Sequence, residues 1–228
     1  MKRVVIIGLG AHSREIAEIL RNRKLHGDAV EVVGFVSNDP EARVQTVDGL
    51  PVLGDWTWFE GVDRSEISVI SSSGFPEVRK PMVERAKSIG LLFTNAIFPG
   101  VYVSPDAAIG EGVVIYQNGV VCRGSSIGDH SLLNVGAIVS HDTKLERLST
   151  INPGVNLAGN VSIGEGCYLG IGCSVIQCVT IGPWTIVGAG AAVISDLPAN
   201  VTAVGVPARV IKIREKGWHE QLTSSAGK

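Results

Sequence analysis

An aliphatic residue recurs at every sixth position throughout the second half of the chain. The seventeen members of this series are Ile97, Val103, Ile109, Ile115, Val121, Ile127, Leu133, Val139, Leu145, Ile151, Leu157, Ile163, Leu169, Val175, Ile181, Val187 and Val193. The residue four places after each member is usually small or β-branched, as at Ala107, Ser131 and Val155. Alternating strands joined by hairpins have a period of two and turn at irregular intervals. The six-residue period therefore predicts a solenoid of short strands, whose stacked coils bury the aliphatic column without an external loop between residues 97 and 193.

Composition agrees with a coiled β structure and argues against nucleic acid as a partner. Glycine contributes 28 residues, concentrated after residue 100, and aromatic residues make up only 5% of the chain. This bias favours tightly coiled β structure over a helical bundle or an ordinary sandwich. The formal net charge is -2, charged residues make up 18%, and like charges do not cluster. A chain of this kind lacks the electrostatic footprint of a nucleic-acid-binding protein.

The N-terminal sequence MKRVVIIGLG has only a short apolar run before its glycines. The run is too brief for the core of a signal peptide or for a membrane span, so we expect a cytoplasmic protein that does not insert into a membrane. The four cysteines, Cys122, Cys167, Cys173 and Cys178, lack the paired spacing of a structural zinc site. We expect them to be buried free thiols.

Residues 1–96 have a different pattern, typical of a small parallel α/β domain. KRVVIIGLGAHSREIAEILRN predicts a buried strand, a glycine turn and an amphipathic helix. Two further strands, within AVEVVGFVSNDP and EISVISSSG, and the helical segment VRKPMVERAKSIG complete the domain. Gly8 and Gly10 begin a dinucleotide fingerprint, but Ser13 replaces its third glycine and no acidic residue ends the second strand. The pattern argues against NAD, although a helix N-terminus at this turn still favours a phosphate.

The hexads IGEGVV, IGEGCY, LGIGCS and VGAGAA, closed by VTAVGVPARVI, resemble those of the hexapeptide acyltransferases over more than half of the chain. The resemblance implies a left-handed parallel β-helix of triangular cross-section with three hexads per coil. It also implies a homotrimer that binds acetyl-CoA between neighbouring subunits. The predicted fold is therefore an α/β Rossmann-like small domain (1–96), an all-β left-handed β-helix (97–207) and a C-terminal tail (208–228). We expect a short helix over residues 208–222 of the tail.

The combination of GLGAHSREIAEIL with a hexapeptide β-helix resembles the sugar O-acyltransferase family of bacterial surface-glycan pathways. That family includes sialic acid O-acetyltransferases and nucleotide-amino-sugar N-acetyltransferases, and its small domain holds the nucleotide sugar. By position, the resemblance implies substrate-binding roles for Gly10, Ala11, His12, Ser37, Asn38, Ser72, Ser73 and Gly74.

Two of the five histidines, His130 and His141, lie within the predicted β-helix. His141 has Arg123 and Gly159 as its neighbours eighteen residues away, and a glycine beside a histidine leaves room for a ligand. The family's catalytic histidine follows a valine by two residues and precedes an acidic residue, as His141 does between Val139 and Asp142. The resemblance implies that His141 is a general base and that Asp142 raises its basicity.

The remaining site residues also rest on the resemblance. Asn134 matches a family asparagine near the sugar amine, although a corner asparagine that bonds the backbone is an equally good interpretation. Gly159 matches the position whose backbone N–H stabilises the oxyanion, and glycine permits a close approach of the thioester. Acetyl-CoA is expected along Thr150, Gly159, Ile171, Ala189 and Arg209. Many family members have histidine where Thr150 stands.

The leading functional prediction is acetylation of the amine of a nucleotide-linked amino sugar, of the 4-amino-dideoxy class, for surface-glycan synthesis. One alternative is O-acetylation of a sialic acid or similar sugar hydroxyl, and another is a non-catalytic trimeric binding scaffold. A metal-dependent β-helix of the carbonic anhydrase type needs three histidine ligands, whereas only His130 and His141 lie in the helix. We therefore expect acetyl-CoA as co-substrate and no metal.

Overall fold

The computed structural model describes residues 1–39 and 41–225. By its internal contacts the chain forms two compact units. The first unit holds residues 1–74 and 78–99, and the second holds residues 75–77 together with the chain from residue 100 onward.

The first unit is an α/β domain built on a mainly parallel sheet. Its strands are Lys2–Ile7 (β1), Val30–Val36 (β2), Thr46–Val47 (β3), Leu50–Gly54 (β4), Ile67–Ser71 (β5), Leu92–Phe93 (β6) and Ala96–Ile97 (β7), and its helices are Ala11–Leu25 (α1) and Pro76–Ser88 (α2). Two short 3₁₀ helices span Trp56–Glu60 and Arg64–Glu66. The sheet order is β3-β4-β2-β1-β5-β6, in which only β3 and β4 are antiparallel. The last four residues of β1 are fully buried at the centre of the sheet.

The sequence predicts three strands in this unit and misses the hairpin of β3 and β4. Asp48 and Gly49 form its turn with φ values of 47° and 76°. Two consecutive left-handed residues make the turn type that an Asp-Gly pair favours between strands. This two-residue signal was present in the sequence, but it lies in a polar stretch with little hydrophobic alternation.

The second unit is a left-handed β-helix, which confirms the predicted fold class. Its two-residue strands are Tyr102–Val103 (β8), Ala108–Ile109 (β9), Val114–Ile115 (β10), Val120–Val121 (β11), Ser126–Ile127 (β12), Leu132–Leu133 (β13), Ile138–Val139 (β14), Lys144–Leu145 (β15), Thr150–Ile151 (β16), Asn156–Leu157 (β17), Ser162–Ile163 (β18), Tyr168–Leu169 (β19), Ser174–Val175 (β20), Thr180–Ile181 (β21), Ile186–Val187 (β22) and Ala192–Val193 (β23). Each of these strands ends on a member of the aliphatic series. From Ile115 onward every member is buried, which gives the β-helix one continuous apolar core.

Strands pair with the strand eighteen residues later, so three hexads make one coil. The coils have three faces. Face 1 contains β10, β13, β16, β19 and β22, face 2 contains β8, β11, β14, β17, β20 and β23, and face 3 contains β9, β12, β15, β18 and β21. Corner A denotes the turns that lead from face 1 to face 2, and corner B denotes those that lead from face 2 to face 3.

One residue in every six, from 112 to 190, has a left-handed backbone with φ between 57° and 68°. Seven of these fourteen residues are glycine, and the others are Asn118, His130, Asp142, Leu148, Asn160, Cys178 and Trp184. Each stands three places after a member of the aliphatic series, where the chain turns a corner. Glycine adopts this conformation without the steric cost that a Cβ imposes, which accounts for seven of the glycines of the second half.

The chain ends with strands Val201–Val204 (β24) and Arg209–Ile213 (β25), which pair antiparallel, and with helix Trp218–Ser225 (α3). The expected helix over 208–222 is therefore wrong in its first part, because residues 209–213 bond to β24 instead. Residues 226–228 of the predicted tail lie outside the described part of the chain.

The cysteines also differ in part from the prediction. Cys167 and Cys173 are buried, whereas Cys122 is half-buried and Cys178 is exposed at a left-handed corner. Burial raises the pKa of the Cys167 thiol to about 12, so this thiol stays protonated at neutral pH. Of the helices in the described chain, none is both long enough and apolar enough to cross a membrane.

Candidate active site

His141 stands at corner B in a column of residues that stack from one coil to the next. The amide of Asp142 donates to the carbonyl of Arg123 at 3.0 Å, and the amide of Asn160 donates to the carbonyl of His141 at 3.0 Å. These bonds fix the three coils in register. The positions of Arg123, His141 and Gly159, expected from their eighteen-residue spacing, are therefore adjacent in the structure.

The imidazole of His141 is paired with the carboxylate of Asp142. Nδ1 of His141 lies 2.9 Å from Oδ2 of Asp142, and the two side chains are 53% and 58% exposed. Neighbouring side chains in an extended strand point to opposite faces. Here Asp142 has a φ of 57°, and this bend turns its carboxylate to the side of the imidazole. Since a carboxylate only accepts hydrogen bonds, this contact favours the tautomer of the neutral ring with the proton on Nδ1, in which Nε2 is the acceptor.

Gly159 lies directly beside the imidazole. A methyl group at Gly159 would lie 2.5 Å from Nε2 of His141, so no larger residue fits while the ring keeps this position. The His141 ring itself thus occupies the space that a side chain at Gly159 would fill. Asp142 lies in the same way against Gly124, where a Cβ would contact its carboxylate.

Asn134 and two predicted cofactor contacts lie at corner A, at the other edge of face 2. The side-chain oxygen of Asn134 accepts from the amide of Val135 at 2.8 Å, which is the backbone-bonding alternative expected of a corner asparagine. Ile171 is 60% exposed, and Ala189 stands one coil further along the same column. A single chain therefore does not bring Asn134, Ile171 or Ala189 to His141.

The other two predicted cofactor contacts lie apart from this column. Thr150 is on face 1 in β16, between β13 and β19, and only 1% of its surface is exposed. Arg209 is exposed at the start of β25, and its Nη1 donates to the carbonyl of Ala208 at 2.9 Å. Thr150 is thus buried, whereas Ile171, Ala189 and Arg209 are exposed.

In the first unit, predicted substrate-binding residues meet at the carboxyl ends of β1 and β5. The hydroxyl of Ser72 donates to the carbonyl of Ile7 at 2.7 Å and lies 2.7 Å from the hydroxyl of Ser13. A Cβ at Gly8 would collide with the Ser72 hydroxyl. Positions 8 and 13 only partly match the dinucleotide fingerprint. The presence of glycine and serine at them is thus explained by contacts with Ser72 inside the protein.

The segments that follow β1 and β5 also meet, at His12 and Gly74. A methyl group at Gly74 would lie 2.5 Å from Nε2 of His12, whose Nδ1 lies 3.1 Å from the carboxylate of Glu15. Gly10 is the N-cap residue of α1 and supplies no side-chain cap. The structure therefore brings the predicted residues 10–12 and 72–74 together.

Ser37 and Asn38 follow β2 beside the same edge, and the amide of Gly8 donates to the carbonyl of Val36 at 2.8 Å. Asn38 accepts a hydrogen bond from the indole N–H of Trp56 at 2.9 Å, and the hydroxyl of Ser37 donates to the carbonyl of Asp39 at 2.7 Å.

Ser37 lines a cavity of about 470 Å³ whose further polar lining residues the sequence interpretation missed: Asp39, Arg43, Gln45, Asp55 and Thr57. The carboxylate of Asp55 accepts from the amide of Thr57 at 2.9 Å and so caps a 3₁₀ helix. An aspartate two residues before a threonine was the signal in the sequence that could have pointed to this lining.

His130, the other histidine in the β-helix, is buried at a left-handed corner, where its ring lies against Gly112. The residues that the structure describes contain no group of three His, Cys, Asp or Glu side chains that could hold a metal ion.

Comparison with known proteins identifies the family. Residues 3–86 match the family model described as the PglD N-terminal domain. A structure of a mutant perosamine N-acetyltransferase from Caulobacter crescentus, in complex with CoA and GDP-perosamine, is 38% identical, covers 93% of this chain and 98% of its own, and superposes with a TM-score of 0.85. The acetyltransferase domain of PglB from Neisseria gonorrhoeae FA1090 is 31% identical, with coverages of 92% and 100% and a TM-score of 0.83.

A third solved structure extends the likeness in fold alone. WeeI from Acinetobacter baumannii AYE is 23% identical over 92% of this chain and 100% of its own, with a TM-score of 0.76. No curated protein sequence matches the chain. The family model and the identities to solved acetyltransferases show that the chain belongs to the hexapeptide-repeat sugar acetyltransferases.

Proposed function

We propose that the protein transfers an acetyl group from acetyl-CoA to the amine of a nucleotide-linked amino sugar. The observation that carries this proposal is the 2.9 Å hydrogen bond between His141 and Asp142 at an exposed corner of the β-helix. Support comes from the relatives, since a 38% identical perosamine N-acetyltransferase was solved with CoA and GDP-perosamine. The PglB acetyltransferase domain was also solved in complex with acetyl coenzyme A.

His141 has the geometry of a general base. Attack of an amine on a thioester requires a group that accepts the proton of the amine, and a histidine with a free ring nitrogen does this near neutral pH. The Asp142 carboxylate holds the proton on Nδ1, which directs the lone pair of Nε2 outward for the substrate. When Nε2 takes the proton, the same carboxylate stabilises the imidazolium without itself becoming protonated.

Gly159 is our candidate for stabilising the oxyanion. In the part of the chain that the structure describes, no backbone carbonyl accepts the N–H of Gly159, a buried residue that lies against the ring of His141. A backbone N–H that is fixed by the coil geometry stabilises developing negative charge without reorganisation. The C–S bond breaks as the carbonyl re-forms, and the departing sulfur of CoA takes the proton that His141 accepted from the amine.

We assign the nucleotide sugar to domain 1–96 and acetyl-CoA to the β-helix at 97–207, with the tail at 208–228 following it. In the first unit, His12 contacts Gly74 and Ser13 contacts Ser72 at the carboxyl ends of parallel strands. Ligands of open α/β sheets bind at these ends, where the strand order reverses on either side of the first strand. The sheet order β2-β1-β5 has that reversal at β1.

A homotrimer with active sites between its subunits is part of the proposal. Six large hydrophobic side chains between residues 100 and 194 are exposed, and all lie on face 2 or in the turns that flank it: Tyr102, Val135, Ile138, Ile171, Ile176 and Ile194. An exposed apolar surface of this kind marks a protein interface. His141 and the expected cofactor contacts Ile171 and Ala189 lie at opposite edges of this face. Packing of one copy against the next through face 2 would bring the two edges together.

A substrate panel tests the proposed reaction. Purified protein is incubated with acetyl-CoA and with UDP-, GDP- and dTDP-linked 4-amino-4,6-dideoxy sugars, and the products are identified by mass. The control sugars carry a hydroxyl in place of the amine. We expect acetylation of at least one amino sugar and none of its hydroxyl counterpart. Turnover confined to the hydroxyl sugars or to sialic acid would replace the proposal with O-acetylation, and no turnover on any sugar would refute it.

A further inference from the structure

Arg79 is a buried charged residue that the candidate catalytic machinery does not use. It lies in the first part of α2, only 2% of its surface is exposed, and its Nη1 donates to the carbonyl of Ser73. An arginine remains charged in proteins, and burying a charge is costly unless its surroundings compensate it. A buried arginine next to a predicted substrate-binding turn is therefore a candidate for a role at that turn.

The turn that Arg79 contacts is fixed on its other sides as well. Ser72 is tied to the end of β1 through the carbonyl of Ile7, and it is tied to the start of α1 through the hydroxyl of Ser13. Gly74 lies against the ring of His12, in the first turn after β1. The residue between them, Ser73, is held by the guanidinium. Each residue of the turn 72–74 therefore has at least one contact that fixes it, and the contact at Ser73 is made by the guanidinium of Arg79.

We propose that Arg79 is a positioning residue for the diphosphate of the nucleotide sugar. Arg79 acts through Ser73, because its bond to the Ser73 carbonyl holds the turn of residues 72–74 against the turn that follows β1. The two turns then present their backbone amides to a ligand from one fixed edge. A charged donor makes a stronger hydrogen bond than a neutral one, which suits a turn that has to keep its shape when an anion binds. This inference rests on the proposed function, since it assumes that the ligand of this edge is a nucleoside diphosphate group.

Arg79→Met tests the inference, because methionine fills a similar volume without a donor. The dissociation constants of GDP, UDP and dTDP for the whole protein are measured by calorimetry, and the tightest of the three is compared between variants. We expect Arg79→Met to raise that constant at least about tenfold. The dissociation constant of CoA should stay within about twofold, since the proposed CoA contacts lie in the β-helix. Arg79→Lys keeps a charged donor and should recover part of the lost affinity.

Lys87→Met serves as the matched control. It removes one positive charge from the last turn of the same helix and should leave the nucleotide affinity within about twofold. Melting temperatures of all variants show whether they are folded. Unchanged nucleotide affinity in a folded Arg79→Met would overturn the inference. An equal loss of nucleotide and CoA affinity would also overturn it, because it would indicate a general structural role. Failure of the wild-type protein to bind any of the three nucleotides would overturn it as well.

These binding measurements do not depend on acetyl transfer. If the wild-type protein binds a nucleoside diphosphate but acetylates no amino sugar, the proposed function fails while the role of Arg79 is still decided by its variants. If it acetylates an amino sugar and Arg79→Met binds the nucleotide normally, only the inference fails.

Discussion

At the scale of single residues, two neighbours confine the imidazole of His141. Asp142 holds Nδ1 at 2.9 Å, and Gly159 lies against the ring, where a methyl group would approach Nε2 to 2.5 Å. The position of the proposed base therefore depends both on a charged neighbour and on a missing side chain.

Gly159→Ala tests the steric half of this arrangement. The added methyl group forces the imidazole to move, and a displacement of about 1 Å at a reacting group costs roughly 10²-fold in rate. We expect kcat for acetyl transfer to fall at least about tenfold. Gly61→Ala is the control, because its added methyl group has no neighbour closer than 3.9 Å. Full activity in Gly159→Ala would show that the ring does not need the position seen here.

Asp142→Asn tests the electrostatic half. Asparagine tolerates the left-handed backbone of this position, so the corner should keep its shape while the charge is lost. An amide can present its N–H₂ group to Nδ1 and so move the ring proton to the wrong nitrogen. We expect kcat to fall roughly 10- to 100-fold, as for other residues that orient a functional histidine. Steady-state kinetics with saturating acetyl-CoA measure the effect, and a loss of less than about threefold would argue against an orienting role.

The sequence predicts some of these residue contacts and not others. The adjacency of His141 and Asp142 was visible in the motif, but their contact required the left-handed turn that the structure shows. The pairing of Ser13 with Ser72 joins positions 59 residues apart, and no local pattern encodes it, because it follows from tertiary packing. Arg79 and Ser73 are only six residues apart, but no motif in the sequence singled out Arg79.

At the scale of structural elements, the corners of the β-helix explain its composition. Half of the fourteen left-handed corner residues from 112 to 190 are glycine, and the other seven adopt the conformation at a steric cost. The six-residue period of the sequence predicted the strands and their buried aliphatic column. The hairpin of β3 and β4 was missed because its signal is only the Asp48-Gly49 turn between two short, weakly apolar strands.

Cys178→Gly tests the cost of a left-handed corner. Cys178 is exposed with a φ of 62°, so replacing it removes steric strain without opening a cavity. The strain is worth roughly 1–2 kcal/mol, and the extra freedom of glycine in the unfolded chain offsets about half of it. We expect a free energy of unfolding higher by about 0.5–1 kcal/mol in chemical denaturation. Ser174→Gly, at an exposed strand position four residues earlier, should instead destabilise the protein. Destabilisation by Cys178→Gly would contradict this account of the corners.

At the scale of the whole molecule, the exposed hydrophobic side chains of the coils are confined to one of three faces and its flanking turns. The sequence could predict the coil, but the distribution of exposed residues among the faces required the observed register of eighteen residues per coil. This distribution underlies the proposed trimer and the shared active site.

Ile176→Asp tests the role of face 2. Ile176 is 42% exposed in the corner B turn that directly follows β20 of this face, and a carboxylate there would be buried unpaired in a subunit interface. By light scattering, the wild-type protein should have three times the chain mass of 24.0 kDa, whereas Ile176→Asp should be a monomer with little acetyl-transfer activity. Leu25→Asp, which changes an 82% exposed residue of the first unit, should behave as wild type. A monomeric, active wild-type protein would exclude the shared site.

The central claim is that His141, held by Asp142, accepts the proton of a nucleotide-linked sugar amine during acetyl transfer. The most direct test compares kcat of wild-type protein and His141→Gln on the amino sugar that the panel identifies, with CoA and nucleotide affinities measured in parallel. We predict that kcat falls about 10²- to 10⁴-fold while both affinities stay within about threefold. A variant with near wild-type kcat would contradict the account.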